Sequence, residues 1–375
     1  MTVVAGHTSP RKVVEMERWR QRRSSGGTPI SSQSKSVPVL RDGMDGIWRE
    51  ILDDARWAPS PHNTQPWLVR LLSPEAAELY APRERLLPVE DPEGRFQTAA
   101  QGIFLEALDV AAGKLGLTVE TESLFPSLGA DADERPLVAR LRLVPREEPA
   151  RFAAQLLHRR RTSRLPYDGR PVDQQALAEL SAIAAELGHQ ARFTSDPALV
   201  DWVVSLNADT VFYDLDEDDR REEIARWTHL SNRTAQAQGD GFSPRGLGFP
   251  APLVRLFFHR HGVFRPGLVR ALARRLYLRS MRGTATVGWI AGSWSTPVEC
   301  LAAGRMLLRF WLALTAHGLY LQPFGSVITN PTSHARLAER LRVREAEREI
   351  WLLLRIGSGP EPPRSARRPL AEILA

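Results

Sequence analysis

The sequence predicts an α+β protein in which two related halves each combine strands with a long helix. Alternating or continuous apolar runs predict strands at 67–72, 137–143 and 350–356. Apolar residues at helical spacing predict long helices over 97–115 and 301–317, and a glycine follows each helix and would end it. Aligned at a constant offset of 202 residues, the two helices match at five of sixteen positions, which indicates an internal repeat.

Shorter elements connect these long ones. A helix is predicted over 46–57, ended by prolines, and another around 151–158. Two further strands are predicted at 75–80 and 86–89. The stretch 206–300 has no clear periodicity, and we expect it to be less regular.

The composition indicates a soluble globular protein with a core of its own. The chain has 375 residues, of which 43% are apolar and 25% are charged. No apolar run approaches the roughly 18 residues of a membrane helix, so we expect no membrane partner. The single cysteine, Cys300, rules out an intramolecular disulfide and suits a reducing, cytoplasmic location. Because it stands beside Glu299, we expect its thiol to serve packing and not chemistry.

The net charge of +6 does not indicate a nucleic-acid partner. Only three lysines occur, and the many arginines are scattered among acidic residues without an RNA- or DNA-binding motif. The histidines do not have the spacing of metal ligands, so no metal site is predicted. No glycine-rich phosphate loop and no nucleophile motif stands where its chemistry would need it.

Composition along the chain predicts three segments. Residues 1–43 form a basic leader that we expect to be disordered, and no apolar region follows its arginines, as an export signal would require. The first half spans 44–148 and the second half spans 149–375. Within the second half, 227–250 is rich in glycine, proline and polar residues and is predicted to be a mobile lid.

The segment Ala58–Trp67, A-P-S-P-H-N-T-Q-P-W, is the most specific in the sequence. Its prolines stiffen the backbone around Ser60, His62, Asn63 and Gln65. Such a loop can present hydrogen-bond donors and acceptors to the edge of a flat heterocycle. The alternative is a turn whose polar side chains bond only local backbone groups.

Two basic segments lie further along the chain. In Arg159–Tyr167, R-R-R-T-S-R-L-P-Y, the guanidinium groups of Arg160, Arg161 and Arg164 and the neighbouring hydroxyls suit a phosphate. The alternative is a solvated basic helix end. Residues 364–370, RSARRPL, are also basic and follow the last predicted strand, where the alternative is a charged tail.

Together these segments resemble the FMN-dependent nitroreductase superfamily, over about residues 44–372. APSPHNTQPW looks like its flavin-contacting loop, RRTSR (160–164) like its phosphate motif, and LRIGSGPEPPRSARRPL (354–370) like its closing strand and basic segment. In detail the chain is most similar to the Acg-like branch, of which the form APS-x-HN-x-QPW is typical. The other positions shared with that branch are Asp91, Pro92, Arg95, Trp227, Asp240, Gly241, Ala303 and Gly304.

The resemblance implies a nitroreductase-like fold in which each half has a mixed or antiparallel sheet flanked by helices. It implies FMN as the cofactor and NAD(P)H as the electron donor, with no side chain required as an acid or base. The residues implied at the isoalloxazine and ribityl groups are Ser60, His62, Asn63 and Gln65. Those implied at the FMN phosphate are Arg161, Thr162, Arg164 and Arg367, and those whose segment approaches the flavin ring are Gln322, Phe324 and Gly325. His62 is the one titratable residue of the loop, and its alternative is a purely structural hydrogen-bonding role.

The resemblance also implies how the two halves share one site. Family members are homodimers in which one subunit supplies the loop and the other supplies the phosphate arginines. Here the loop occurs only in the first half and the motif RRTSR only in the second. We therefore expect a fused pseudo-dimer with one flavin site and a second, inactive site. Whether the pseudo-dimer associates further is left open.

The implied activity is hydride transfer from NAD(P)H through FMN to a nitroaromatic, a quinone or a similar small acceptor. Two alternatives stay open within the family. One is a flavin-sequestering Acg-like protein with little or no reductase activity, and the other is a flavin-dependent tailoring oxidase or dehydrogenase of a biosynthetic pathway. A non-flavin interaction protein is the alternative from another class.

Overall fold

The computed structural model describes residues 46–264, 267–343 and 349–375, without the side chains of residues 259 and 261. The predicted leader, 1–43, lies outside these residues. The described residues all belong to one unit of the chain, Leu40–Ala375.

The first part of the chain builds a four-stranded antiparallel sheet. Helix α1 (Gly46–Ala55) precedes it and buries one apolar face. The elements that follow are β1 (Leu68–Leu71), β2 (Ala76–Tyr80), α2 (Arg95–Gly113), β3 (Leu117–Ser123) and β4 (Leu137–Pro145). The strands lie in the order β1-β2-β4-β3, and every neighbouring pair is antiparallel.

One predicted strand of this part, 86–89, is wrong. The structure has a short 3-10 helix at Arg83–Arg85 and then turns. The carboxylate of Glu223 accepts hydrogen bonds from the backbone N–H groups of Val89 at 3.0 Å and Glu90 at 2.7 Å. Because a side chain binds these donors, they are not available to a strand ladder.

The second part of the chain builds a second sheet with a large helical insertion. Its strands are β5 (Gln190–Thr194), β6 (Thr286–Gly292), β7 (Tyr320–Pro323) and β8 (Glu349–Gly357). Its helices are α3 (Gln155–Arg159), α4 (Gln174–Glu186), α5 (Pro197–Asp214), α6 (Asp218–Arg226), α7 (Asn232–Gln238), α8 (Pro244–Leu247), α9 (Ala251–His259), α10 (Gly267–Ser280), α11 (Pro297–Ala316), α12 (Gly325–Thr329), α13 (Pro331–Leu341) and α14 (Leu370–Ile373). No helix within the described ranges combines the length and the apolar character that spanning a bilayer requires.

The two sheets share one topology. The second sheet runs β5-β6-β8-β7 with every pair antiparallel, so each strand has a counterpart in the first sheet. The long helices also correspond, because α2 connects β2 to β3 and α11 connects β6 to β7. The chain therefore has an α+β fold with two related halves, as the sequence predicts.

The stretch predicted to be less regular, 206–300, is mostly helical. Helices α5 to α10 all lie between β5 and β6. Within the predicted lid, α7 and α8 begin after Ser231 and Ser243, whose hydroxyls each accept a hydrogen bond from the backbone of the first turn. They end at Gly239 and Gly248, which have left-handed φ values of 73° and 79°. The serines and glycines give this segment the composition of a loop, but in the structure they cap short helices.

Helices α2 and α11 cross with their backbones in contact. A Cβ atom at Gly102 would lie 2.0 Å from the carbonyl oxygen of Leu301, and one at Gly304 would lie 1.9 Å from that of Ala99. The two contacts are equivalent, because both pairs of positions are related by the offset of 202 residues. Glycine at both positions is what allows the helices to approach so closely.

After β8 the chain returns to the first sheet. The backbone N–H of Ala375 donates to the carbonyl oxygen of Val69 in β1 at 2.9 Å, and Leu374 forms a parallel bridge with the same residue. Before this bridge, the buried Arg368 donates to the carbonyl oxygen of Trp67 at 3.2 Å. The C-terminal segment therefore connects the second sheet to the loop of the first half.

We expect Gly102→Ala to lower the free energy of unfolding by about 2 kcal/mol or more, because the added methyl group does not fit without moving a helix. Gly267→Ala is the matched control, since a Cβ atom there would meet no atom of another described element within 4 Å. Urea unfolding of both variants and the wild type measures the effect. An unchanged midpoint for Gly102→Ala would contradict the close crossing.

Candidate functional site

The loop between α1 and β1 has a strained backbone. His62, Asn63 and Gln65 have left-handed φ values of 49°, 57° and 50°, in a region that residues other than glycine seldom occupy. The hydroxyl of Ser60 supports this shape by accepting a 2.9 Å hydrogen bond from the backbone N–H of Gln65. Three strained residues in one loop favour a constrained functional site over an ordinary turn.

The amide side chains of the loop are bonded within the protein. Asn63 donates to the carbonyl oxygens of Gly241 at 3.2 Å and Ala366 at 3.1 Å. Gln65 is fully buried and donates to the carbonyl oxygen of Gly239 at 2.8 Å. These bonds anchor two distant segments on the loop, namely the predicted lid and the C-terminal segment.

His62 forms a buried ion pair with Glu90. Its Nε2 lies 2.6 Å from a carboxylate oxygen of Glu90, and the two side chains are 15% and 11% exposed. Burial by itself would lower the pKa of His62, but the Glu90 carboxylate outweighs that effect and raises the pKa. The His62 charge keeps the pKa of Glu90 low, against the effect of burial. The other ring nitrogen, Nδ1, is buried and has no hydrogen-bond partner among the described residues, so protonated His62 has one N–H to donate.

A cluster of arginines lies against the end of α1, and Arg160 is its centre. Arg160 is 6% exposed, its guanidinium carbon lies 4.5 Å from the ring centre of Trp311, and it donates to the carbonyl oxygen of Trp57 at 3.3 Å. Its Nε and Nη1 are buried and find no partner in the described part of the chain. Burial and three neighbouring arginines lower its pKa well below the usual value.

The three neighbouring arginines are Arg161, Arg364 and Arg367. Arg367 donates to Asn63 Oδ1 at 2.9 Å and to the carbonyl oxygen of Trp57 at 3.1 Å. Burial lowers its pKa to about 9, and the charge of Arg364 adds to the effect. The guanidinium of Arg364 stacks on Trp57, 3.3 Å from the ring centre. The Nε atoms of Arg161 and Arg367 are buried without a partner in the ranges described.

A cavity of about 400 Å³ opens beside the cluster. Arg161 and Arg364 line it, and the carboxylate of Glu361, 75% exposed, lies 3.4 Å from Arg161. The predicted lid supplies its other polar lining residues, Asn232, Gln236, Ser243 and Arg245. Three arginines, Arg161, Arg245 and Arg364, against one exposed carboxylate suit a ligand with more than one negative charge, such as a phosphate ester.

Thr162 and Arg164 lie outside the arginine cluster. Thr162 forms a parallel bridge with Leu321 in β7. The guanidinium of Arg164 lies 4.8 Å from the ring centre of Phe242, and burial lowers the pKa of Arg164 to about 10. The ring of His62 contacts the same phenylalanine at 5.1 Å. The structure thus places Arg164 on the His62 side of the loop.

Gln322, Phe324 and Gly325 lie at the end of β7. The side-chain oxygen of Gln322 accepts a hydrogen bond from Arg355 at 2.9 Å. Phe324 is 1% exposed, and its backbone N–H donates to the carbonyl oxygen of Leu353 at 2.8 Å. Gly325 is exposed, and a Cβ atom there would meet no described residue outside its own helix within 4 Å. Of the three, Gly325 has the most space for a ligand.

Arg355 holds the RRTSR segment in place, although no sequence motif singles it out. It is fully buried in β8 and donates to the carbonyl oxygens of Ser163 at 3.1 Å and Leu165 at 2.9 Å, as well as to Gln322. It thereby fixes the RRTSR segment to the second sheet. An arginine inside an otherwise apolar strand is the signal that could have found it, because a buried charge requires partners.

We expect the His62–Glu90 pair to stabilise the fold near pH 6, where His62 is protonated and Glu90 is ionised, and less at high pH. A histidine whose pKa is raised by folding contributes its full stabilisation of the folded state below its unfolded pKa of about 6.5. That contribution is lost as the pH rises through the pKa of the histidine in the folded state. His62→Gln should therefore cost about 2 kcal/mol of unfolding free energy at pH 6 and less at pH 9.

The control for this prediction is His317→Gln, which breaks an exposed pair with Glu179 at 2.8 Å. Because that pair is solvated, the control should change stability little at either pH. Urea unfolding at both pH values measures the two variants. A cost for His62→Gln that is the same at pH 6 and pH 9 would contradict the raised pKa.

No model of a known protein family matches the chain. Curated relatives do match. The chain is 28% identical over 335 residues to Rv3131 of Mycobacterium tuberculosis (strain ATCC 25618 / H37Rv), provisionally named an NAD(P)H nitroreductase, and the match covers 87% of this chain and 90% of that protein. It is 25% identical over 329 residues to PigM of Serratia sp. (strain ATCC 39006), also provisionally named an NAD(P)H nitroreductase, with 81% of this chain and 87% of that protein covered.

A solved structure shows a more distant likeness. The FMN- and NADPH-dependent nitroreductase NfnB from sphigopyxis sp. strain HMH is 19% identical and covers 59% of this chain and 97% of its own, with a TM-score of 0.37. The resemblance to the Acg-like branch stays a prediction. The two sequence relatives bear the name of the family that the motifs resemble.

Proposed function

We propose that this chain is an FMN-dependent NAD(P)H oxidoreductase of the nitroreductase type, acting on a small acceptor. The observation that carries the proposal is the arginine cluster, in which Arg160, Arg161 and Arg367 hold buried N–H groups without partners in the described residues. The cluster lies beside a cavity and in contact with the strained loop. The names of the two sequence relatives support the same chemistry.

The arginine cluster fits the phosphate end of FMN. A phosphate monoester carries close to two negative charges and three strong acceptor oxygens. Four buried nitrogen atoms, Nε and Nη1 of Arg160 and Nε of Arg161 and Arg367, are donors that such a group would satisfy. A bound phosphate would supply the negative charge that these buried guanidinium groups need as a partner.

The ring end of the site fits less completely in this conformation. The amides of Asn63 and Gln65, predicted to face the flavin, are already bonded to the backbone at Gly239 and Gly241. They become available to a flavin only when the 239–241 turn moves. Nδ1 of His62, which has no partner among the described residues, would donate to a ligand bound at the loop.

FMN, when bound, would take a hydride from NAD(P)H and pass electrons to the acceptor. The arginine cluster would bind the phosphate and so fix the orientation of the ring relative to the loop. His62, held protonated by Glu90, can hold a proton on Nδ1 beside the loop. The predicted lid would exclude water from the cavity that it lines.

We also propose that the chain works as a fused pseudo-dimer with one flavin site. The loop belongs to the predicted half 44–148 and the arginines to 149–375, and the 2.9 Å bond between Arg367 and Asn63 joins them. The equivalent glycine contacts of α2 and α11 support this arrangement. The inactive second site and the cytoplasmic location stay predictions.

A flavin-sequestering role is the second candidate, and the contacts of one turn favour it. The 239–241 turn is bonded to the amides of Asn63 and Gln65, and Asp240 forms an ion pair with Arg85 at 3.1 Å. A segment held at several points would slow the entry of a nicotinamide or an acceptor. Nothing in the described residues favours a tailoring oxidase.

The absorbance spectrum of the purified protein, before and after anaerobic addition of NADPH, separates these candidates. We expect a yellow protein whose oxidised-flavin band bleaches, because the nicotinamide reduces the flavin. A yellow protein that stays yellow would support sequestration or an oxidase with its own donor. A colourless protein that takes up no added FMN would overturn the flavin proposal.

We expect Arg161→Ala and Arg160→Met to weaken FMN binding by about 2 kcal/mol or more, because each removes a charge-assisted bond to the phosphate. Arg164→Ala tests the phosphate contact that the resemblance implies for a residue lying outside the cluster. Arg140→Ala, an exposed site on β4, is the control. Isothermal titration with FMN measures all four variants.

Thermal unfolding of the ligand-free variants provides a second measurement. Arg160→Met should be at least as stable as the wild type without FMN, because it removes a buried charge with unsatisfied donors. Loss of both stability and FMN binding would assign Arg160 a structural role. Unchanged FMN affinity in every variant would contradict the phosphate assignment.

A further inference from the structure

The outer face of α10 exposes a row of leucines. Leu268, Leu272 and Leu276 follow one another at intervals of four residues and are 89%, 60% and 37% exposed. No residue of α10 is buried. Residues four apart share one face of a helix, so the three leucines form a continuous apolar stripe that no other described residue covers.

The same helix lies in a strongly basic stretch. From residue 241 to residue 298 the sequence contains nine arginines and neither aspartate nor glutamate. On the inner side of α10, Arg270 and Arg274 each pair with an aspartate at 2.6 Å. On the outer side, Arg275 and Arg279 are exposed and form no ion pair within the described ranges. The leucine stripe is therefore flanked by uncompensated positive charge.

We propose that α10 docks on an anionic lipid surface. Leu268, Leu272 and Leu276 would enter the boundary between headgroups and acyl chains, and Arg275 and Arg279 would contact the lipid phosphates. Exposed leucines combined with arginines on a short amphipathic helix are the features of a helix that lies in the membrane interface. Anionic lipids attract each such arginine, and salt screens the attraction. This docking is independent of the proposed redox function. It departs from the expectation of no membrane partner, which rests only on the lack of a membrane-spanning apolar run.

The charge of the face argues against two other occupants. A second copy of the chain would place two basic faces against each other, which like-charge repulsion opposes. The leader, 1–43, contains eight basic and three acidic residues, so it has the same sign of charge as α10. Nucleic acid would match the arginines but would leave Leu268, 89% exposed, without an apolar partner.

Co-sedimentation of the full chain with vesicles tests the proposal. Phosphatidylcholine vesicles containing phosphatidylglycerol should bind the protein at low salt, and pure phosphatidylcholine vesicles should bind it at least about tenfold less. Leu268→Ser with Leu272→Ser, and separately Arg275→Gln with Arg279→Gln, should each reduce binding to the anionic vesicles by about tenfold or more. Raising the salt concentration should affect the wild type more than the arginine variant.

The matched control is Leu72→Ser with Arg142→Gln, which removes an exposed leucine and an exposed arginine from the first half and should bind like the wild type. Absence of wild-type binding to the anionic vesicles would overturn the proposal. Equal loss of binding in the control and the α10 variants would also overturn it, as would a dimer that Leu268→Ser with Leu272→Ser converts to a monomer. Binding to duplex DNA in place of vesicles would assign the face to nucleic acid and overturn the lipid proposal.

Discussion

The close crossing of α2 and α11 is the constraint on which the rest of the structure depends. Next to the crossing glycine of α2, Gln101 donates to the carbonyl oxygen of Pro66 at 2.5 Å and so fixes the end of the loop on this helix. On α11, Trp311 supports the guanidinium of Arg160. An ion pair between Glu106 and Arg309 at 2.6 Å further joins the two helices. Helix α2 holds the end of the loop, and helix α11 supports the arginine cluster. The crossing therefore sets the distance between the loop and the cluster.

The candidate site combines two features that each oppose folding. The loop holds three residues in left-handed conformations, and the arginine cluster holds buried donors without partners in the described residues. Backbone strain and unpaired buried charge both cost free energy, and proteins retain them mainly where function requires it. A ligand with two negative charges would remove one of the two costs, so we expect binding and stability to be coupled at this site.

Periodicity predicts the long elements of this fold and fails where side chains act on the backbone. The helices at 97–115 and 301–317 repeat apolar residues at helical spacing, and the strand at 350–356 is a continuous apolar run of strand length. The segment 86–89 is as apolar as a strand, but Glu223 binds its backbone, and a partner 134 residues away leaves no local signal. The caps of α7 and α8 have the composition of a loop, so composition alone gives the wrong element there.

The site shows the same limit. The residue types of the loop and of RRTSR make both segments candidates for a binding site, beside the structural alternatives that each segment also has. The contact between the two segments cannot be predicted in this way, because Arg367 and Asn63, which form the bond, are 304 residues apart in the sequence. The carboxylate of Glu90 and the guanidinium of Arg355 act through contacts that only the folded chain creates. The sequence therefore offers candidate residues but does not give the contacts between them.

The route of the C-terminal segment has a consequence for biosynthesis. The loop at 58–67 emerges from the ribosome early, whereas Arg364 and Arg367 emerge about three hundred residues later. Until then the strained loop lacks the bonds that the C-terminal segment supplies to Asn63. The first sheet can form during translation, but the site cannot, because long-range contacts must wait for both partners. A nascent chain stalled before residue 364 would therefore display a loop that has not yet acquired its conformation.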